Sequence, residues 1–193
     1  MEGFLISTGV VALAEIGDKT QLLALVLAAR FRRPLPIIAG IFFATLLNHA
    51  VAGLFGRWLA LAIGPDILRW VLAIAFIAMA VWMLIPDDLR DEPARAPRFG
   101  PFLTTLIAFF LVEMGDKTQI ATVALAAKYA SLTAVVIGTT LGMMIANGPA
   151  VLVGNGLAGK LPLRLVHAIA AGVFFVMGVL VLFGMAMPAH GLA

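Results

Sequence analysis

Residues 15–21 read Glu-Ile-Gly-Asp-Lys-Thr-Gln, and residues 113–119 read Glu-Met-Gly-Asp-Lys-Thr-Gln, six identities in seven positions at a separation of 98 residues. Each heptapeptide lies inside a long run of Leu, Ala, Val and Ile. Charged residues make up 12% of the chain and hydrophobic ones 63%, where ordinary globular sequences carry about 25% charge. At roughly 20 residues per span, 193 residues leave room for about six membrane helices and no sizeable soluble domain. The fold class is therefore an all-α polytopic membrane protein. The apolar runs are continuous and lack the period-two alternation of a membrane β-barrel. With no cysteine, disulfide frameworks, thiolate zinc sites and iron–sulfur clusters are excluded.

Outward from the heptapeptides, apolar stretches fall at 4–29, 35–62, 66–86, 101–127, 132–159 and 164–187, predicting six transmembrane helices. The polar segment between the third and fourth, with Asp87, Asp88, Arg90, Asp91, Glu92, Arg95 and Arg98 among prolines, reads as a solvent-exposed linker. The 98-residue offset, without a gap, also pairs Phe4 with Phe102, Gly40 with Gly138, Gly56 with Gly154 and Phe76 with Phe174. Residues 1–86 and 101–193 are thus expected to be two three-helix repeats joined by residues 87–100. Three is odd, so the second repeat should enter the bilayer from the opposite side, the inverted arrangement common among secondary transporters.

The net charge of +3 does not point to nucleic acid, because Lys and Arg flank the apolar spans, where they set orientation. One side carries Arg30, Arg32, Arg33, Arg90, Arg95, Arg98, Lys160 and Arg164; the other carries Arg57, Arg69 and Lys128. Eight against three predicts an inner-membrane protein with a cytoplasmic linker and both termini outside. Glu2, with no Lys or Arg before the first apolar run, predicts a retained helix and not a signal peptide.

Both heptapeptides fall near the centres of their spans, where even a lenient scale charges about 2.5–3.5 kcal/mol for one Asp or Lys. Brought together at the interface between repeats, Glu15, Asp18, Glu113 and Asp116 would supply four carboxylates, with Lys19, Thr20, Gln21, Lys117, Thr118 and Gln119 beside them. Carboxylate and neutral oxygens suit a hard cation such as Mn²⁺, Ca²⁺ or Mg²⁺. Four carboxylates and two ammoniums sum formally to −2, the charge one divalent cation neutralises. The competing reading is a set of buried salt bridges fixing helix register, but it leaves one carboxylate in excess in each repeat. On a continuous helix Glu15 and Lys19 share a face at the i,i+4 spacing that best forms ion pairs; alternatively each Lys turns away and holds backbone carbonyls. Gly17 and Gly115 either distort the helix there or let neighbours pack closely.

The second and fifth spans add Asn48 and His49 near midplane, with Asn147 at the position equivalent to His49. They serve either as hydrogen-bond partners of the site and a proton relay or as interhelical hydrogen bonds. Met114, Met143 and Met144 are assigned to packing before any contact with a metal. The third and sixth spans show no ionisable residue in their interiors and read as lipid-facing scaffold. An intramembrane aspartyl protease is disfavoured because Glu15 and Glu113 stand where its Gly-x-Gly-Asp sequence needs glycine. Ser7 and Ser131 are the only serines, and neither has a Gly-x-Ser-x-Gly setting. The chain is therefore not expected to be an enzyme, and it is expected to need no cofactor. A passive cation channel remains as a competing function.

The repeated Glu-x-Gly-Asp-Lys-Thr, in a small six-span chain with a polar central linker, resembles the UPF0016 or Gdt1 family of cation transporters over essentially its whole length. Bacterial members of that family include manganese exporters, and eukaryotic members are Golgi manganese and calcium transporters that exchange protons. The resemblance implies that Glu15, Asp18, Glu113 and Asp116 are the cation ligands. It implies a manganese exporter working against protons, or else a calcium/proton antiporter, with the divalent metal ion, protons and the lipid bilayer as partners. The oligomeric state is left open.

Overall fold

The computed structural model describes residues 1–85, 99–153 and 163–184. Among these the chain is all helical, with α1 Glu2–Glu15, α2 Lys19–Phe31, α3 Pro34–Ala62, α4 Pro65–Met83, α5 Pro101–Glu113, α6 Lys117–Lys128, α7 Leu132–Val153 and α8 Leu163–Leu182. Prolines open α3, α4 and α5, where a missing N–H costs nothing and the fixed φ is already helical. Four helices, α3, α4, α7 and α8, are each long and apolar enough to cross a membrane. The expected spans 4–29 and 101–127 are not continuous: each is two shorter helices, broken inside the heptapeptide. Most of the expected linker, 87–98, and the ends of the third, fifth and sixth spans lie outside the described residues.

Packing follows the 98-residue offset closely. A Cβ at Gly40 on α3 would stand 2.8 Å from the Phe102 carbonyl oxygen on α5, and one at Gly138 on α7 would stand 2.6 Å from the Phe4 carbonyl oxygen on α1. The two contacts are equivalent by sequence, and both let helix backbones touch as small residues do in membranes. The α3–α5 seam continues from Gly40 to Asn48, whose side-chain amide donates to the Phe110 carbonyl at 3.0 Å, so α3 and α5 run in the same direction. Likewise Gly138 meets Phe4 and Gly142 meets Thr8 and Ala12, so α1 and α7 run in the same direction. On α4 and α8, Phe76 and Phe174 stack with ring centroids 6.4 Å apart; both are fully buried. These helices are more than a lipid-facing scaffold. Leu72, Phe76, Met79 and Met83 of α4 pack in one core with Ala170, Phe174 and Val181 of α8, while Ile74 and Phe175 stay exposed.

Candidate metal centre

Each helix break is a turn written into the motif. Ile16 has φ −65° and ψ 115°, Gly17 has φ 85°, and the Asp18 N–H donates to the Glu15 carbonyl at 3.1 Å. That is a type II β-turn over Glu15–Asp18, whose third position requires the left-handed φ that glycine adopts freely. The second motif repeats it: Met114 has φ −63° and ψ 118°, Gly115 has φ 78°, and the Asp116 N–H donates to the Glu113 carbonyl at 3.1 Å. Glycine thus breaks the helix here, in place of merely easing its packing.

The rest of each motif satisfies the groups the turn leaves over. Asp18 and Asp116 take the N-cap positions of α2 and α6 in extended conformation. Three residues on, the Gln21 side-chain oxygen accepts the Gly17 N–H at 3.1 Å, and that of Gln119 accepts the Gly115 N–H at 2.7 Å. This backward reach resembles a capping box, displaced by one residue. Gln21 also donates to the Ala146 carbonyl of α7 at 3.0 Å. The Thr20 hydroxyl donates to Glu15 Oε2 at 2.6 Å and the Thr118 hydroxyl to Glu113 Oε2 at 3.1 Å. Each threonine therefore aims the glutamate of its own motif across the break.

Glu15, Glu113 and Asp116 are all buried, and each offers an oxygen within 4.8 Å of the others. Oxygens facing each other across a cation lie about 4–5 Å apart when metal–oxygen bonds are about 2.1–2.6 Å, so the trio matches the span of a divalent ion. Glu113 Oε1 and Asp116 Oδ2 are buried and accept no hydrogen bond among the described residues, which leaves lone pairs for a ligand. Asp18 is buried as well but lies outside the trio. The N-termini of α2 and α6 open at the same turns, with first-turn N–H groups that favour negative charge nearby.

The lysines depart from the expected i,i+4 pairing. Lys19 Nζ stands 2.8 Å from Oδ1 of Asp116 in the other repeat, because the break puts Glu15 and Lys19 on different helices and removes their common face. Lys117 Nζ lies 3.5 Å from the Ile85 carbonyl, and the break likewise puts Glu113 and Lys117 on different helices. His49 is fully buried and both ring nitrogens lack a hydrogen-bond partner among the described residues; it is not among the clustered carboxylates. Asn147 donates to the Met143 carbonyl at 3.3 Å, a bond within α7. Met143 is core and Met114 is exposed.

One residue escaped the sequence reading. His167, near the start of α8, places Nε2 3.0 Å from the Ile16 carbonyl oxygen, in the first turn itself. It sits at the edge of an apolar run and outside both motifs, so only its basic equivalent 98 residues earlier, Arg69, offered a hint.

A family model described as divalent cation/proton antiporter GDT1 matches residues 3–91 and 101–188. A Vibrio cholerae protein named "Putative manganese exporter" is 56% identical over 173 residues, 89% of this chain and 86% of that protein. GDT1-like protein 5 of Arabidopsis thaliana is 29% identical over 91% of this chain and 92% of its own length. GDT1-like protein 5 of Oryza sativa subsp. japonica is 26% identical over 91% of each. No solved structure matches the chain.

Proposed function

The chain belongs to the GDT1 family of divalent cation/proton antiporters, and on that premise we propose that it exports Mn²⁺ from the cytoplasm in exchange for protons. The observation that carries this reading is the convergence of Glu15, Glu113 and Asp116, one carboxylate from the first heptapeptide and two from the second, at two helix breaks. All three donors are oxygens, suited to Mn²⁺ and Ca²⁺ alike; the name of the Vibrio relative favours manganese. Carboxylates bind a metal only after losing their protons. The same oxygens can therefore carry the ion one way and protons the other, with Asp18 as a fourth ligand or proton carrier.

Alternating access follows from two inverted three-helix repeats, residues 1–86 and 101–193, in a six-span bundle. Packing supports the inversion. The end of α2 leads directly into the start of α3, whereas the start of α1 packs on α7 near Gly138. The beginning of α7 in turn packs on α3 at Gly53, toward the far end of α3. Together α1 and α2 thus run opposite to α3, while α5 runs with it, so the two broken spans traverse in opposite directions. Half-helix termini meeting at midplane are the usual setting for ion sites in such carriers. The Lys and Arg distribution favours a cytoplasmic linker and outside termini in the inner membrane.

The test is uptake by proteoliposomes with Mn²⁺, Ca²⁺ or Mg²⁺, with and without a pH gradient. Mn²⁺ flux driven by the gradient, with counter-movement of protons, is the expected result. Gradient-driven Ca²⁺ flux without Mn²⁺ flux would make it a calcium antiporter, and metal flux that moves no protons would make it a channel.

A further inference from the structure

We propose that His167 is a positioning residue for the metal centre: from α8 it holds the peptide on which the first carboxylate pair turns. This rests on the reading of the centre as a cation site. The break leaves the Ile16 carbonyl without a helical donor, since α1 ends at Glu15 and α2 starts at Lys19. The Glu15 carbonyl is taken by Asp18 N–H across the turn. His167 Nε2, 3.0 Å away, meets the next one. A carbonyl oxygen only accepts, so Nε2 carries the hydrogen and donates it. The bond is part-buried, and leaving that oxygen unpaired in apolar surroundings would be costly.

The location gives the bond leverage. Ile16 is the second residue of the Glu15–Asp18 turn, and its peptide plane sets how Glu15, on one helix, faces Asp18, on the next. The tether is also one-sided. The equivalent carbonyl, Met114, receives no side-chain hydrogen bond among the described residues, and Arg69, equivalent to His167, lies with its guanidinium 5.8 Å from the Trp70 ring. The first break is thus anchored to α8 through a histidine on its turn carbonyl, whereas the second motif reaches the chain just past α4 through Lys117 and the Ile85 carbonyl. Groups that orient metal ligands in this way commonly control affinity without touching the ion.

The experiment titrates Mn²⁺ into the purified full-length chain in lipid nanodiscs, following free Mn²⁺ by electron paramagnetic resonance. His167→Phe keeps a ring and removes the donor; His167→Gln restores an N–H at similar reach. Phe should weaken Mn²⁺ binding about tenfold, and Gln should return affinity close to the parental value. Should the Phe variant not fold, His167→Ala serves as the donor-free form. Parental affinity in the donor-free variant would overturn the proposal, as would a folded Gln variant that binds no better than the donor-free one. Imidazole nitrogen coupling to bound Mn²⁺ that disappears in His167→Gln would also overturn it, by making His167 a ligand. Glu113→Gln, measured alongside, separates the two levels of inference: if it binds Mn²⁺ like the parent, the cation site itself is misassigned.

Discussion

Lys19 Nζ and Asp116 Oδ1 lie 2.8 Å apart, an ion pair that joins the two heptapeptides. Asp116 is one of the three clustered carboxylates, so if these hold the cation as proposed, the ammonium would compete with it for Asp116 and would stand in for it in the empty site. On the proposed alternating-access mechanism, the empty protein without this lysine would have to reorient with an uncompensated carboxylate in low dielectric. Lys19→Met is therefore expected to bind Mn²⁺ as tightly as the parent or more so while turning over more slowly. An added barrier of about 1.4 kcal/mol would slow it about tenfold. Paired measurements of Mn²⁺ affinity and transport rate check this, and a parental rate would remove the counter-ion role.

The type II turns set a second expectation. Gly17 and Gly115 hold φ of 85° and 78°, where an L-residue costs about 1–2 kcal/mol. Gly17→Ala and Gly115→Ala should each destabilise the protein by roughly that amount and weaken Mn²⁺ binding. Asn, which tolerates this φ, should be milder at both positions. Thermal unfolding in detergent and Mn²⁺ titration are the readouts.

How much of this was open to sequence reading depends on which interactions are local. The two motifs and the 98-residue offset were legible because they are matters of identity and position, and the offset reappears as the Phe76–Phe174 stack. The turn itself was half legible. Gly17 allowed either a break or close packing, and the choice depends on whether Gln21 can take the N–H that the turn leaves over. Lys19 was misplaced for the same reason, since i,i+4 logic assumes the continuous helix that Gly17 interrupts. Asp18, equivalent to Asp116, was expected beside the other three carboxylates; it is buried but is not in the trio whose oxygens lie within 4.8 Å of one another. His167 was out of reach because its partner is a backbone carbonyl 151 residues away in sequence.

The seams between repeats should tolerate no added side chain where backbones meet. A Cβ on Gly40 would stand 2.7 Å from Thr105 Cβ and 2.8 Å from the Phe102 carbonyl oxygen, and backbone cannot yield as a flexible side chain can. Gly40→Val is expected to cost roughly 1–3 kcal/mol and to slow transport. Gly9→Ala, where a Cβ meets nothing within 4 Å, should leave both properties unchanged. Unfolding midpoints of the two variants decide between them.

Orientation carries its own prediction, from the eight-to-three distribution of Lys and Arg. A cysteine introduced as Asp91→Cys should be shielded from impermeant thiol reagent in intact cells and labelled after permeabilisation. Labelling in intact cells would place the linker outside and reverse the inferred direction of transport.

The central claim is that the two heptapeptides build one cation site together, and equilibrium Mn²⁺ binding to Glu15→Gln and Glu113→Gln tests it most directly. One ion should bind per parental chain, with affinity falling as pH falls, because protons and metal compete for the same oxygens. Either substitution alone should abolish high-affinity binding, since each removes a ligand from the same ion. Two ions per chain, or an unimpaired site left behind in each single variant, would contradict the account.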